Sequence, residues 1–246
     1  MKAEVFDKVL ALATPNYQKF LNDRGVEYVF SDKKFYVIGN NSERPARIEV
    51  STLKAIADLF ALDFEKMEDA KPVAVVQSPT LVEVISSQSD NYYQRTTFIH
   101  CEAPAGDRNF TFNQFMPQEQ FLISLSACFL EIGDREAVVR AISSLASHEN
   151  LEIEDNGFAQ NATAKTGVTL SSHIAITPRV KLTPWRTFRE ADQPESEFIL
   201  RVKKAQDGTP HAALFEADGG AWKVQAVRYV ASWLEANCAD GLLIVS

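Results

Sequence analysis

Apolar residues recur every three or four positions in five segments of the chain, the spacing that gathers side chains on one face of a helix. Two of these segments lie near the N-terminus. The first covers residues 6–13, and the second starts at Pro15, continues through Phe20 and Leu21, and stops at Gly25. The pattern therefore predicts a helical N-terminal region.

Three further helices are predicted downstream. The first follows Ser51, a residue type that caps helices, and its apolar positions extend to Phe64. The second follows Asp134 as its cap and ends near residue 145, and the third covers Ala221–Ala236. Apolar residues occupy most of the circumference of the third helix, at Trp222, Val224, Val227, Val230, Trp233 and Leu234. Such a helix is expected to be largely buried, in its own core or between subunits, so we expect a homo-oligomer.

Segments that are β-rich or alternate in polarity separate these helices. The connections between the segments at 73–99 are too short for parallel crossovers, so they predict an antiparallel meander. An Asn-Gly pair at 156–157 predicts a hairpin of two strands within residues 151–168. The other predicted strands are Glu27–Phe30, Lys34–Ile38, Val73–Gln77, Leu81–Ile85, Tyr92–Ile99, Phe121–Phe129, Thr177–Leu182, Phe198–Lys203, Ala212–Glu216 and Leu242–Val245.

Together these elements predict an α+β fold, mostly antiparallel β-sheet with about four or five flanking helices. Two domain divisions stay open. Residues 1–70 would form a helical N-terminal region with a short hairpin and residues 71–246 an α+β body, or 1–246 would form one continuous domain.

The charge and motif content limit the function. With 33 acidic and 25 basic residues the formal net charge is -8, which argues against binding nucleic acid over the whole surface. The three cysteines lack metal-site spacing, no phosphate-loop or nucleophile motif is present, and no apolar run is long enough for a membrane helix. We therefore expect no catalytic or metal-binding residue, no cofactor and no membrane partner, which favours a cytoplasmic, non-enzymatic protein over an enzyme.

One region carries basic residues only. No acidic residue occurs from Asn156 to Arg189, and Arg179 and Lys181 would share one face of the strand at 177–182. Arg201 and Lys203 would do the same on the strand at 198–203. If the two strands are neighbours, they form a basic stripe suited to phosphates or to an acidic partner. The alternative is that this stripe pairs with the acidic residues between the strands, which are Glu190, Asp192, Glu195 and Glu197.

The segment Pro184–Phe198 combines prolines, large aromatic rings and charges of both signs. Because prolines fix backbone angles and remove donors, it can hold an irregular shape without a regular ladder. We expect Trp185 and Phe188 to anchor it in apolar surroundings, and Arg186 and Arg189 to pair with acids. Two roles stay open: a binding surface or subunit clasp, and a structural crossover locked to the domain.

A turn of acids and glycines precedes the last helix. The pair Gly219 and Gly220 could present backbone N–H groups to an anion, and Glu216 and Asp218 could hold a divalent cation. The acids repel phosphate, however, and the Gly-Lys-Ser/Thr ending of a P-loop is missing. A tight strand-to-helix turn with Asp218 as the helix cap is therefore favoured.

The run Leu182-Thr-Pro-Trp-Arg-Thr-Phe-Arg-Glu-Ala-Asp-Gln-Pro-Glu-Ser-Glu-Phe198, followed by Ala213-Leu-Phe-Glu-Ala-Asp-Gly-Gly-Ala-Trp222, resembles a family of phage and prophage proteins of the YfdQ type. Weaker similarity covers most of the chain, and the family more often has Tyr at the position of Trp185. The resemblance implies a phage-encoded, non-virion accessory protein in a bacterial host. It carries over no established catalytic residue.

Three functions stay open. The leading one is a non-enzymatic phage accessory protein that self-assembles and binds a partner, a host or phage protein, through its C-terminal third. The second is a nucleic-acid-associated accessory of phage replication or recombination. The third is an enzyme or sequestering protein for a small anionic ligand, held by Arg186, Arg189 and Arg201. The candidate binding or interface residues are Arg179, Lys181, Trp185, Arg186, Phe188, Arg189, Glu190, Asp192, Arg201, Lys203 and Trp222.

Overall fold

A computed structural model describes residues 18–21, 27–31, 34–38, 46–64, 71–87, 95–104, 110–145, 150–155, 160–166, 170–206, 208–238 and 241–246. Its helices are α1 (Leu53–Ala61), α2 (Gln118–Cys128), α3 (Arg135–Leu145) and α4 (Ala221–Asn237). Its strands are β1 (Gln18–Leu21), β2 (Glu27–Ser31), β3 (Lys34–Ile38), β4 (Ile48–Val50), β5 (Pro72–Ser78), β6 (Leu81–Ser86), β7 (Thr97–Glu102), β8 (Met116–Pro117), β9 (Asn150–Asp155), β10 (Gln160–Thr166), β11 (Leu170–Ile176), β12 (Arg179–Leu182), β13 (Ser196–Lys204), β14 (Pro210–Glu216) and β15 (Leu243–Val245).

Most of these strands pair antiparallel. Two three-stranded sheets have the orders β1-β2-β3 and β11-β10-β9, and a four-stranded sheet has the order β12-β13-β14-β8. A five-stranded sheet has the order β15-β5-β6-β7-β4, in which the outer strands β15 and β4 pair parallel to their neighbours. The α+β fold of mostly antiparallel sheet is therefore confirmed. So are the β5-β6-β7 meander and the β2-β3 and β9-β10 pairings.

The first hydrophobic core lies on the four-stranded sheet, against α2 and α3. The strands contribute alternate residues, such as Val180 and Leu182 on β12 and Phe198 and Leu200 on β13. The alternation predicted for β12 is confirmed, because Arg179 is exposed on the opposite face. Strand β12 lies at the edge of this sheet. This position fits Pro178, which cannot donate to a ladder.

The second core lies on the five-stranded sheet, against α1 and α4. Leu53 and Ile56 of α1 pack with Ala74 of β5 and with Val230 of α4. Residues on both sides of position 70 thus share one core. The division at this position stays a prediction.

The strand predicted at Phe121–Phe129 is wrong, because this segment forms α2. Phe121, Leu125 and Cys128 are buried at helical spacing, whereas Ile123 is 62% exposed. The segment fits both periods, and alternation alone cannot separate them. Its start favours the helix, because Pro117 occupies the position before the first turn and Glu119 lies within that turn, where a negative charge is stabilised.

The helix predicted through Phe20 and Leu21 is also wrong, because residues 18–21 form β1, which pairs with β2. A short isolated helix is marginal in water, and pairing with a neighbouring strand satisfies the same backbone groups. The helix predicted at 6–13 lies outside the described residues. At α1 the cap is Thr52 rather than Ser51, since the Thr52 hydroxyl accepts a hydrogen bond from the Ala55 N–H (3.3 Å).

Helix α4 begins at the predicted residue and ends one residue later than predicted, and among the described residues one of its faces is buried. That face consists of Ala226, Val230, Ala231 and Leu234. Trp222 and Trp233 are half-buried and Val224 is 58% exposed, so the described residues bury the helix only in part, and its burial between subunits stays a prediction. Small alanine side chains on the buried face let the helix lie close to the sheet.

Candidate functional site

A cleft of about 1060 Å³ opens between the two cores. One wall comes from the first core, with Phe110 and Phe112, and the opposite wall from the end of β7, with Glu102 and Ala103. Residues 183–195 are here called the strap, and residues 184–190 of it line the cleft together with Gly220, Trp222 and Lys223 at the start of α4. Clefts at the boundary between two packed units are common ligand sites.

The strap keeps an irregular shape because one side chain satisfies its backbone. The Gln193 oxygen accepts hydrogen bonds from the N–H groups of Arg186 (2.9 Å) and Thr187 (3.2 Å). The Gln193 amide nitrogen donates to the carbonyl groups of Phe188 (2.8 Å) and Ala191 (3.0 Å). Four backbone groups of the strap are therefore hydrogen-bonded without a β-ladder, which explains how the predicted irregular segment can keep a fixed shape.

The strap crosses from the first core to the second. Phe188 is 1% exposed and packs with Ala191 in the second core. The Thr187 hydroxyl donates a hydrogen bond to the carbonyl of Pro79, and the Glu190 carboxylate accepts one from the Lys54 N–H (3.4 Å) at the start of α1. A carboxylate is stabilised at the N-terminus of a helix. The strap is therefore held by both sheets.

Arg186 is the most enclosed cation of the cleft. Its side chain is 7% exposed and its Nη2 lies 2.6 Å from the Glu216 carboxylate. The guanidinium carbon also lies 4.5 Å from the ring centroids of both Phe112 and Trp222. Burial lowers the pKa of Arg186, which Glu216 partly opposes, and an arginine remains charged at neutral pH all the same. The pair thus links the strap, β14 and α4.

Two further cations flank this pair, each beside a tryptophan. The Arg189 guanidinium carbon lies 5.3 Å from the Trp185 ring centroid, and Lys223 Nζ lies 5.9 Å from that of Trp222. Arg189 and Lys223 are exposed, and within the described part of the chain neither forms an ion pair. The expected pairing with an acid is thus seen for Arg186, whereas Arg189 stacks on Trp185.

The turn before α4 needs glycine. Gly219 and Gly220 have φ angles of 62° and 83°, a region that other residues rarely adopt. The cap position is Gly220, not Asp218 as predicted, and it makes no side-chain cap hydrogen bond. The Asp218 carboxylate instead accepts a hydrogen bond from the Gly220 N–H (3.0 Å) and so stabilises the turn.

The basic residues of the stripe that lie on the edge strand β12 form ion pairs. Arg179 Nη1 lies 2.8 Å from Glu197, and Lys181 Nζ lies 3.7 Å from Glu195. Lys203 Nζ lies 4.2 Å from the ring centroid of Phe115. The neighbouring strands predicted for the stripe are confirmed, and the pairing matches the alternative in which intervening acids neutralise it.

Two of the three cysteines, Cys101 and Cys128, are buried. Cys101 is fully buried, and its Sγ donates to the carbonyl of Thr52 (3.3 Å). Burial, and secondarily Glu190, raise the pKa of Cys101 to about 12, and burial raises the pKa of Cys238. Because the thiolate is the reactive form, Cys101 is inert at neutral pH.

Acidic residues also surround one histidine outside the cleft. His100 Nδ1 lies 3.1 Å from Glu83, and its Nε2 lies 3.9 Å from Glu49 and 3.8 Å from Glu102. Among the residues that the structure describes, no group of His, Cys, Asp and Glu is arranged to hold a metal ion. No helix within the same residues is long and apolar enough to cross a membrane.

The structure separates the sequence candidates into two places. Trp185, Arg186, Phe188, Arg189, Glu190 and Trp222 line the cleft. Arg179, Lys181, Arg201 and Lys203 lie instead on the outward face of the four-stranded sheet, and Asp192 is exposed on the strap.

Sequence reasoning missed cleft residues on the first half of the chain, such as Phe110, Phe112 and Thr80. Lys223 was also missed, although its position directly after Trp222 was a usable signal. Comparison with protein-family models, curated proteins and solved structures gives no match.

Proposed function

We propose that this protein is a non-enzymatic, phage-type accessory protein that binds a partner in the cleft walled by its C-terminal third. The observation that carries the proposal is the cleft itself, because the strap presents the half-buried Trp185 and the exposed Arg189 to it, and the first turn of α4 adds the half-buried Trp222 and the exposed Lys223. Aromatic and arginine side chains dominate binding energy in protein interfaces. The phage context rests on the resemblance of the same segment to the YfdQ-type family.

Self-association is part of the proposal. Leu243 and Val245 on the edge strand β15 are 61% and 46% exposed, and Val224 on α4 is 58% exposed. Exposed apolar side chains on an edge strand favour pairing with another chain.

A cleft-filling variant tests partner binding. Thr80 is exposed at the rim, so Thr80→Trp should occlude the cleft without disturbing a core. The matched control is Ser143→Trp, an equally large change at an exposed position of α3 outside the cleft. Each protein is used to capture host-cell components, and each captured candidate is then purified and titrated against all three proteins.

The proposal expects a partner that binds wild type and Ser143→Trp equally and loses affinity for Thr80→Trp. A partner that binds Thr80→Trp as tightly as wild type would place the site elsewhere. Two other outcomes correspond to the remaining functions. Salt-sensitive retention of nucleic acid that Arg179→Ala with Lys181→Ala abolishes would favour the nucleic-acid accessory. A small anion carried through native mass spectrometry would favour the sequestering protein.

A further inference from the structure

We propose that the cleft binds an extended segment of a partner protein in which acidic side chains alternate with aromatic ones. This inference rests on the proposed function and specifies the chemistry of the ligand. It follows from which charges at the cleft are already neutralised and which are left for a partner.

Two of the three acids that line the cleft are engaged within the chain. Glu216 holds the buried Arg186 at 2.6 Å, and Glu190 accepts a hydrogen bond at the start of α1. The third, Glu102, is 69% exposed, and its carboxylate lies 3.8 Å from His100 Nε2, a pair that is charged only when the histidine is protonated. Two of the carboxylates therefore have an internal role, and Glu102 is the one left exposed.

The three cations that line the cleft differ in whether an acid pairs with them. Arg186 is neutralised, whereas Arg189 and Lys223 are exposed and have no ion pair within the described residues. Lys223 lies in the first turn of α4, where the Gly220 N–H already donates a hydrogen bond to the Asp218 carboxylate, so the attraction for a ligand at this position comes from the lysine. Two positions at the cleft thus favour a carboxylate.

An aromatic face accompanies each of these cations. Trp185 lies under Arg189 and Trp222 beside Lys223, and both rings are half-buried. The Arg186 guanidinium carbon already lies 4.5 Å from the Trp222 ring centroid, so a ligand can reach only the part of that ring that Arg186 leaves uncovered. Paired aromatic rings attract each other beyond the effect of the area that they bury. A ligand that places an aromatic ring next to a carboxylate at each position would use both features.

The size and charge of the cleft select a peptide. Its volume of about 1060 Å³ lies at the upper end of the small-molecule range of about 300–1,000 Å³, which leaves room for several residues of extended chain. Single-stranded nucleic acid would also use stacking platforms, but it needs a continuous positive groove. The cations of this cleft are interrupted by Glu102, Glu190 and Glu216, so the cleft presents no continuous positive groove.

Short synthetic peptides test the inference. One alternates Glu and Phe with glycine spacers, a second replaces Glu by Lys, and a third replaces Phe by Gly; a short oligothymidylate serves as the nucleic-acid probe. Two of the three tryptophans line the cleft, so a Trp233→Phe background restricts the fluorescence signal to them. The Glu/Phe peptide should bind at least tenfold tighter than either of the other two peptides.

Charge reversals identify the subsites. Arg189→Glu and Lys223→Glu should each weaken the Glu/Phe peptide roughly fivefold to tenfold, because a repulsion replaces an attraction. Together they should invert the preference towards the Lys/Phe peptide, which a misfolded variant could not do. Arg228→Glu is the matched control, since Arg228 is exposed on the same helix but does not line the cleft.

Three outcomes would overturn the inference: equal binding of the three peptides, full affinity in both reversal variants, or tighter binding of oligothymidylate than of any peptide. A failure of this inference can be told apart from a failure of the proposed function. A captured partner that Thr80→Trp excludes but both reversal variants retain would support the cleft as the binding site and reject the acidic-aromatic ligand.

Discussion

Removing the Gln193 side chain should destabilise the protein by about 2–3 kcal/mol. Its amide makes four hydrogen bonds to backbone groups of the strap, at 2.8–3.2 Å. At about 1 kcal/mol each these contribute about 4 kcal/mol, and freeing the side chain returns about 1.5 kcal/mol of rotamer entropy. Water reaches part of the half-buried site, which limits the cost of unpaired backbone groups.

The assay is urea unfolding of Gln193→Ala, followed by both circular dichroism and tryptophan fluorescence. Gln193→Glu separates the two halves of the contact, because it keeps the acceptor for the N–H groups of Arg186 and Thr187 but places an oxygen against the carbonyls of Phe188 and Ala191. We expect it to be at least as destabilising as alanine.

Gln120→Ala on the exposed face of α2 is the control and should change the free energy of unfolding by less than about 0.5 kcal/mol. A Gln193→Ala variant within the same margin of wild type would refute the reasoning. It would mean that the strap holds its shape through its prolines and its anchoring ring alone.

Three other outcomes are expected. Phe188→Ala should cost about 3–5 kcal/mol by urea unfolding, because the ring is 1% exposed, and the half-buried Trp185→Ala only about 1–2 kcal/mol. The pKa of Cys101 rises from 9.0 to about 12 on folding, so the stabilisation that comes from keeping this thiol protonated is complete below pH 9.0 and is lost as the pH rises towards 12. In Cys101→Ala the free energy of unfolding should therefore fall less steeply over this range, by up to about 1.4 kcal/mol per pH unit. Light scattering at micromolar concentration should show an oligomer that Leu243→Glu with Val245→Glu dissociates, and a monomeric wild type would contradict the proposed self-association.

The sequence was sufficient to predict an element where its hydrophobic residues followed only one period, that of a strand or that of a helix. On β12, charged and apolar residues alternate, and the structure exposes Arg179 and Lys181 while it buries Val180 and Leu182. It was insufficient at Phe121, which fits strand and helix equally well until the flanking Pro117 is weighed. Strand β11 was missed because polar and apolar residues do not alternate along Leu170–Ile176, and its position depends on pairing with β10.

The site itself was predictable only in part. The strap stood out because its aromatic and charged residues are dense in the sequence, and its irregular shape follows from its prolines. The partner of Arg186, however, is Glu216, thirty residues away. Such a pair has no signature in local periodicity, because it exists only once β14 and the strap have been brought together by the first core.

The two roles left open for the strap belong to different side chains of the same segment. Phe188, Gln193 and the Arg186 guanidinium face inward, to the second core, to the strap backbone and to Glu216, so they account for its fixed shape. Arg189 and Trp185 remain at the cleft once that shape is set. A rigid support lowers the entropy cost of binding, since groups that are already positioned need not be ordered by the partner. A fixed crossover would hold the binding surface in place, so both roles can apply to the same segment.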